Sequence, residues 1–259
     1  MTTCRIKSVG IAAPGLAGWA TALPVLAGTT AYLPAAETPY APALLPPNER
    51  RRATAAVRQA FRAAEDAIGA NSDPKSLASV FASSDGDMTV LHRICEALAG
   101  EPRVISPIDF HNSVHNAASG YWSIAAQCKR PTTTLAAFDA SFIVGMLEAA
   151  ALVRDLDADV LLVAYDAVAP APLLAKRPLA VAASVALVLG PAADASRGSV
   201  SIQIGTGEET GCVGMLEALR LGNPALRALP LLELIARGSA GEVTLRGTGE
   251  MRVRLRYSP

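Results

Sequence analysis

The sequence predicts an α/β protein, in which helices cover a central sheet. Strand and helix patterns alternate along the chain, and a β-prone run at 132–138 leads through a sharp junction into an apolar helix at 141–154. Apolar residues recur in that helix at spacings of three and four. Asp139 occupies the junction, where its carboxylate is expected to cap the helix and to meet the positive end of the helix dipole.

The other elements follow from the same two periodicities and from turn residues. A proline- and glycine-rich connection at 13–47 is expected to be irregular, with one short helix at 17–26. The last helix, at 223–237, is expected to be interrupted by Pro230. The remaining predicted strands are 5–12, 78–82, 158–166, 182–190, 199–204, 242–246 and 251–257, and the remaining predicted helices are 51–69 and 88–98.

Composition favours one well-packed unit. The chain has 259 residues, 51% of them hydrophobic and 18% charged, with a formal net charge of zero, so nothing in its charge indicates nucleic-acid binding. Runs such as 181–189 are too short to span a membrane, and no leader pattern is present, so a cytoplasmic protein is expected. The four cysteines lack paired spacing, and neither a metal site, a disulfide framework nor a cofactor is expected. No linker divides residues 1–259 into two domains.

Several motifs together resemble one protein family. They are Leu45-Pro-Pro-Asn-Glu-Arg-Arg-Arg, Asn116-Ala-Ala-Ser-Gly followed by Ser123-Ile-Ala, Ala-Phe-Asp139-Ala-Ser-Phe, and Asn223-Pro-Ala-Leu-Arg-Ala-Leu-Pro. The combination is similar to the N-terminal half of β-ketoacyl synthases, and in particular to the chain-length factors of aryl polyene clusters. The resemblance implies a thiolase-like α/β fold, with residues 200–259 as a short C-terminal α+β addition.

The chain departs from that family at the catalytic residues. The position of the nucleophilic cysteine falls on Asp139, or on Ser141 if the register slips by two residues, and no cysteine lies at this junction. The two catalytic histidines of the family have no counterpart, because all three histidines of this chain precede the junction. The resemblance therefore implies a non-catalytic chain-length factor. Its partner, a full-length β-ketoacyl synthase, supplies the cysteine and histidines in a heterodimer, and an acyl carrier protein is an indirect partner.

Two other functions stay open at this point. The chain is alternatively an acyltransferase or thioesterase that uses Ser141 or Asp139 with His115 as base. It is alternatively a homodimeric module that binds acyl groups or carrier proteins. The charge of Asp139 is expected to repel a malonyl carboxylate, which disfavours chain extension at this position.

The resemblance also implies an interface. The strand at 132–137 is expected to pair with the partner across the two-fold axis, and the loop before it is expected to lie near that contact. Arg50, Arg51 and Arg52 are expected to meet an acidic carrier protein or its phosphate, although a solvated helix face is the alternative. Asp85 and Asp87 flank Gly86 and are expected to stabilise a turn, with cation binding as the alternative. The residues expected at the interface or the acyl tunnel are His111, Asn112, His115, Asn116, Tyr121, Trp122, Thr133, Thr134, Leu135, Phe138 and Phe142. For Tyr121 and Trp122, burial in the core is the alternative.

Overall fold

The computed structural model describes residues 2–69, 72–192 and 198–259. The strands in these ranges are β1 (Thr2–Ala13), β2 (Leu16–Ala17), β3 (Ala78–Ala82), β4 (Thr132–Leu135), β5 (Val160–Asp166), β6 (Ala183–Pro191), β7 (Ser199–Gly205), β8 (Gly241–Arg246) and β9 (Arg252–Ser258). The α-helices are α1 (Trp19–Leu26), α2 (Pro47–Arg52), α3 (Ala55–Ile68), α4 (Met88–Ala99), α5 (Pro107–Asn112), α6 (Ala117–Ala126), α7 (Ser141–Leu156), α8 (Leu173–Lys176), α9 (Met215–Gly222) and α10 (Leu229–Arg237).

All of these strands belong to one sheet. Its order is β4-β3-β5-β6-β1-β7-β9-β8, with β2 as a short partner of β1. β3 pairs in parallel with β4 and β5, and the other pairs are antiparallel. β1 therefore lies in the middle of the sheet, and the C-terminal strands β7, β9 and β8 extend the sheet beyond it. β9 pairs with β7 and with β8, in both cases antiparallel.

Helices cover both faces of the sheet. On one face, α3 and α6 enclose an aromatic cluster that includes Phe61, Phe81 and Trp122. On the other face, α1, α7 and α10 cover a second apolar cluster. α7 approaches the sheet closely at Gly145, where a Cβ atom would lie only 2.9 Å from Leu162 Cδ1 and 3.0 Å from Ala82 Cβ. A larger residue there would push the helix away from β3 and β5.

Three predicted boundaries were wrong. The helix predicted at 51–69 is two helices, because Ala53 is extended and the Thr54 hydroxyl accepts a hydrogen bond from the amide of Val57 as the cap of α3. Pro230 does not interrupt a helix but lies in the first turn of α10, where its missing N–H leaves no bond unmade. The strand predicted at 132–138 ends at Leu135, because a 3-10 turn at Phe138–Ala140 precedes α7.

The large aromatic side chains of α6 point inward. Trp122 is 0% exposed, and its ring meets that of Phe61 edge-on at 5.4 Å, while Tyr121 is 2% exposed. The expectation that these two residues meet a partner surface was therefore wrong: they form the contact between α6 and the chain's own core. Phe142, in the first turn of α7, is also fully buried in the core. Asn112 is buried as well, and its side-chain amide donates to the Arg52 carbonyl.

No helix in the described ranges is both long enough and apolar enough to cross a bilayer.

Candidate functional site

The junction between β4 and α7 is a tight turn fixed by a buried serine. Phe138 adopts a φ of +54°, in the left-handed region that side-chain-bearing residues seldom occupy. The Ser141 hydroxyl donates to the Phe138 carbonyl at 2.7 Å and accepts from the Ala137 amide at 3.0 Å. Ser141 is 1% exposed. Its hydroxyl therefore holds the turn and is not presented to a substrate.

Asp139 projects from this turn as a carboxylate with two arginine partners. Its Oδ1 lies 2.7 Å from Nη2 of Arg177, and its Oδ2 lies 3.9 Å from Nη2 of Arg227. The side chain forms no capping hydrogen bond with the 3-10 turn or with α7. The expectation that Asp139 caps the helix was wrong, because the side chain turns away from the free amides and towards the arginines.

Arg177 connects Asp139 to the neighbouring strand end. Its guanidinium stacks on the ring of Phe138 at 3.6 Å from the centroid, and its Nε lies 3.3 Å from Oδ2 of Asp85. The side chains of Arg177 and Asp85 are only 13% and 12% exposed, whereas that of Asp139 is 49% exposed. The charge of Asp139 is thus balanced by its neighbours, which removes the basis for expecting it to repel an anion by itself.

A buried carboxylate supports the turn that carries Asp85. Asp166, at the end of β5, accepts hydrogen bonds from the Ser83 hydroxyl at 2.9 Å, the Ser84 amide at 2.8 Å and the Ser84 hydroxyl at 2.9 Å. Burial raises the pKa of Asp166 to about 7, although the serine hydrogen bonds act in the other direction. Asp166 therefore positions Asp85 and, through it, Arg177.

The second aspartate of the predicted turn has a structural task. Asp87 caps α4, because its Oδ1 accepts from the Val90 amide at 3.0 Å. Within the described ranges, no group of three or more histidine, cysteine, aspartate or glutamate residues could hold a metal ion.

A cavity of about 680 Å³ opens beside Asp139. The 3-10 turn forms one wall, and residues from the C-terminal addition form the other. The lining residues are Ala137, Phe138, Asp139, Ala140, Glu209, Leu221, Arg227, Arg246, Gly247, Thr248 and Gly249. The cavity therefore combines an aromatic ring and aliphatic surface with charges of both signs.

The histidines lie outside this cavity. His92 contacts Glu96 at 3.3 Å, His111 meets the Tyr121 ring edge-on at 6.0 Å, and His115 is exposed beside Gly86. All three belong to the described ranges, and none lines the cavity. The structure consequently brings neither Ser141 nor Asp139 together with His115 in a nucleophile–base pair.

The predicted interface strand lies at the edge of the sheet. β4 pairs with β3 on one side, and no other described strand pairs with its outer edge. Thr133 bonds to Glu148 at 3.1 Å, and Thr134 to Ser119 at 2.8 Å. Leu135 packs against the core, whereas Phe138 is 61% exposed. Of the preceding loop, His111, His115 and Asn116 are exposed.

The three consecutive arginines of α2 divide into two groups. Arg50 donates to the carbonyls of Ala43 and Leu45 at 3.2 and 2.9 Å, so it holds the preceding loop and is not free to meet a carrier protein. Arg51 and Arg52 are exposed and contact Asn48 and Glu49.

Sequence reasoning missed Arg177, Arg227 and Asp166. Arg177 follows the short helix α8 and lies in no motif, whereas Arg227 lies in a 3-10 turn within the motif at 223–230, where no role was predicted for it. The one available signal was an aspartate at the end of the apolar strand β5, where a polar residue begins a loop.

Comparison with solved structures shows the fold. One chain of "Ketosynthase (ApeO) in Complex with its Chain Length Factor (ApeC) from Xenorhabdus doucetiae" is similar with a TM-score of 0.74 at 23% identity, covering 100% of both chains. A chain of the ishigamide ketosynthase/chain length factor has a TM-score of 0.75 at 12% identity, with 99% of each chain covered. A chain of the AntDE:AntF complex, a type II polyketide synthase carrier protein with its ketosynthase, has a TM-score of 0.77 at 10% identity, with 99% of each covered.

These likenesses confirm the predicted thiolase-like α/β fold. No curated protein matches the sequence. The model of the family described as "Beta-ketoacyl synthase, N-terminal domain" matches residues 27–218, which is most of the chain and includes the junction at Asp139. The chain therefore belongs to the β-ketoacyl synthase N-terminal domain family.

Proposed function

We propose that this chain is a non-catalytic chain-length factor that forms a heterodimer with an active β-ketoacyl synthase in type II polyketide assembly, of the aryl polyene type. The observation that carries the proposal is the occupant of the strand–helix junction. Where the family places a cysteine, this chain has Asp139, whose carboxylate is paired with Arg177 and Arg227. A carboxylate held by two arginines is a poor nucleophile, since its charge is already neutralised by hydrogen bonds and ion pairs.

The absence of a suitable base supports the same proposal. The residues that line the cavity all belong to the described ranges, and none of them is a histidine or a cysteine. Under the proposal, the partner ketosynthase supplies these groups, and this chain shapes the far end of the acyl tunnel. Acyl groups reach the pair on a carrier protein, which makes the carrier a partner of the heterodimer. Such assembly takes place in the cytoplasm, and that location is part of the proposal.

The outer edge of β4 supports a protein partner. An unpaired edge exposes amides and carbonyls that invite pairing with another strand. The segment that precedes β4 in the sequence also exposes many apolar side chains. These are Leu91 (45%), Val104 (68%), Ile108 (48%), Phe110 (69%) and Val114 (53%). An interface that pairs the edge and covers this segment should be large, above roughly 2,000 Å² in total.

The acyltransferase or thioesterase alternative has little support. Ser141 is buried with its hydroxyl committed to Phe138 and Ala137, and His115 lies outside the cavity. The homodimeric module remains a rival, because an open strand edge also suits a second copy of the chain. We further propose that residues 1–259 form one domain with 200–259 as its extension, because β7, β8 and β9 continue the same sheet.

Co-expression tests the proposal against that rival. The tagged chain is expressed with a full-length β-ketoacyl synthase from the same organism, and the complex is sized by light scattering. A stable one-to-one heterodimer that condenses acyl units only when both chains are present is the expected result. A homodimer that ignores the ketosynthase, or a ketosynthase equally active alone, would contradict the proposal.

A further inference from the structure

The C-terminal addition carries a row of arginines on one face of the sheet. Side chains alternate between the two faces along a strand, so Arg252, Arg254 and Arg256 of β9 point to the same side. Arg246 of β8 is the direct cross-strand neighbour of Arg252 and shares that side. We refer to these four residues as the arginine face. The opposite side, which includes Val253 and Leu255, is buried.

The arginine face has almost no compensating negative charge. Its neighbours on β7 are Ser201, Gln203 and Gly205, which are neutral. On β8, Thr244 lies opposite Arg254, and Glu242 lies opposite Arg256 at an ion-pair distance of 3.0 Å. Among the described cross-strand neighbours, four arginines therefore face one glutamate; Glu209, which lines the same cavity as Arg246, is paired with Arg220. The like charges of Arg246 and Arg252 stand directly opposite each other, an arrangement that destabilises a sheet unless an anion lies between them.

Several guanidinium groups of this face lack acceptors. Within the part of the chain that the structure describes, the side chains of Arg246 and Arg254 form no ion pair or hydrogen bond, and the guanidinium of Arg252 donates only to the Met251 carbonyl. The Nε atoms of Arg252 and Arg254 are shielded from solvent without a partner. Gly205 makes room for Arg254, because a Cβ there would lie 3.3 Å from its Nε. Guanidinium groups in this state are suited to forked hydrogen bonds with carboxylates.

We propose that the arginine face docks an acidic protein surface and, resting on the proposed function, that this surface belongs to the acyl carrier protein. Alternate residues of a strand are about 6.8 Å apart, and residues four apart on a helix rise about 6 Å. Carboxylates along one face of a helix therefore match Arg252, Arg254 and Arg256 in step. Arg246 also lines the cavity beside Asp139, so the arginine face begins at the rim of that cavity.

The same face fits other polyanions less well. Its neutral members are Ser201, Gln203, Gly205 and Thr244, and it offers no aromatic or aliphatic side chain to insert into a membrane interface. Four arginines with a glutamate among them are a small footprint for a nucleic acid, which is bound through many phosphate contacts. An acidic protein, in contrast, requires only a few well-placed pairs.

The test measures carrier affinity in the heterodimer with the ketosynthase. Fluorescently labelled carrier protein is titrated against the wild type and against the triple variant Arg246→Gln, Arg252→Gln, Arg254→Gln. Loss of three pairs between arginines of this face and carboxylates of the carrier should weaken binding about tenfold at low salt. A matched triple, Arg58→Gln, Arg103→Gln, Arg154→Gln, removes the same charge from exposed positions outside every proposed carrier-binding surface and should leave affinity within about twofold. Circular dichroism and thermal melting confirm that both variants fold.

Each outcome bears on one claim. If the heterodimer forms but the two triples weaken carrier binding equally, or neither does, the arginine face is not the docking surface and the proposed function stands. If no heterodimer forms, the proposed function fails independently of the carrier result. Labelled duplex DNA and anionic lipid vesicles are titrated in parallel. If either binds as tightly as the carrier, and if that binding is lost in the first triple variant, the assignment to an acidic protein is overturned.

Discussion

The guanidinium of Arg177 holds the carboxylate of Asp139 at 2.7 Å, across 38 residues of sequence. The same guanidinium lies flat on the Phe138 ring and reaches Asp85 at the end of β3. Three contacts on one side chain thus fix the turn between β4 and α7 and immobilise the carboxylate of Asp139.

Catalytic silence is the first prediction. The purified chain should neither decarboxylate malonyl carrier protein nor condense acyl units, because thiolate and histidines are missing from the cavity. Asp139→Cys should acquire a thiol that iodoacetamide alkylates at this half-exposed position, and should still not turn over. Product is followed by mass spectrometry, with heat-treated protein as the control. Turnover by either form above that control would show that another group serves as the base.

The second prediction concerns the support of the junction. Arg177→Met keeps a long apolar stem on Phe138 but leaves Asp85 without its ion pair, and both partners are largely buried. The free energy of unfolding should fall by about 2 kcal/mol. Arg103→Met removes a pair with Glu101 whose side chains are 69% and 79% exposed, and should change stability by less than about 0.5 kcal/mol. Urea unfolding measures both; equal effects would mean that Arg177 contributes nothing through its burial.

The third prediction is a pH dependence that originates in Asp166. Its pKa of about 7 lies above the value of about 4 for a carboxyl group in an unfolded chain, so the folded state holds the proton more tightly. This group therefore contributes stability below about pH 4, and that contribution is lost as the pH rises to about 7. Between about pH 5 and about pH 8 the loss should approach 3 kcal/mol.

Asp166→Asn isolates this effect, because an amide keeps an acceptor oxygen for Ser83 and Ser84 but does not titrate. Urea unfolding of the variant should therefore lack that part of the decline. Asp155→Asn, at an exposed aspartate, serves as the control and should keep the wild-type profile. Parallel profiles for the wild type and Asp166→Asn would falsify the assignment.

The fourth prediction addresses the open edge of β4. The amides of Ser79 and Ser83 donate to the carbonyls of Pro131 and Leu135. In a parallel ladder, the odd-numbered residues of β4 therefore bond to β3, and Thr134 directs its amide towards the open edge. Thr134→Pro removes that donor and should abolish the heterodimer. Thr134→Val also loses the hydroxyl contact with Ser119 but keeps the amide, and should still dimerise.

The two variants are compared by size-exclusion chromatography with the ketosynthase. A proline at Leu135 is a less specific test, because the amide of that residue bonds within the chain's own sheet. Survival of the heterodimer in a folded Thr134→Pro protein would remove β4 from the interface and, with it, the main structural support for the proposed partner.

The fold was predictable where the signal was local. β3 at 78–82 was predicted to the residue, and α7 to within two residues, because the apolar pattern of each is strong. Asp157, in a left-handed conformation, ends α7. The break at Ala53 was not visible, because alanine fits a helix as well as a linker. Helices α6 and α9 were missed as well, since small and apolar residues blur the boundary between helix and loop there.

Of the candidate site, only the position of Asp139 could be predicted from the sequence. Asp139 was found because a strand, a short polar residue and a helix are contiguous in the sequence. Its partners Arg177 and Arg227 come from distant turns, and only the folded sheet brings them together with Asp139. Trp122 was misplaced for a related reason: the sequence of α6 does not say which of its faces meets α3.

The central place of β1 has a consequence for how the chain acquires its structure. Residues 2–13 are synthesised long before their partners β6 and β7, at 183–191 and 199–205. A sheet whose middle strand pairs with residues so distant in sequence has a high contact order and should fold slowly. Until those partners emerge, β1 is an apolar strand with two open edges, so recombinant yield should rise at low temperature and with chaperone co-expression.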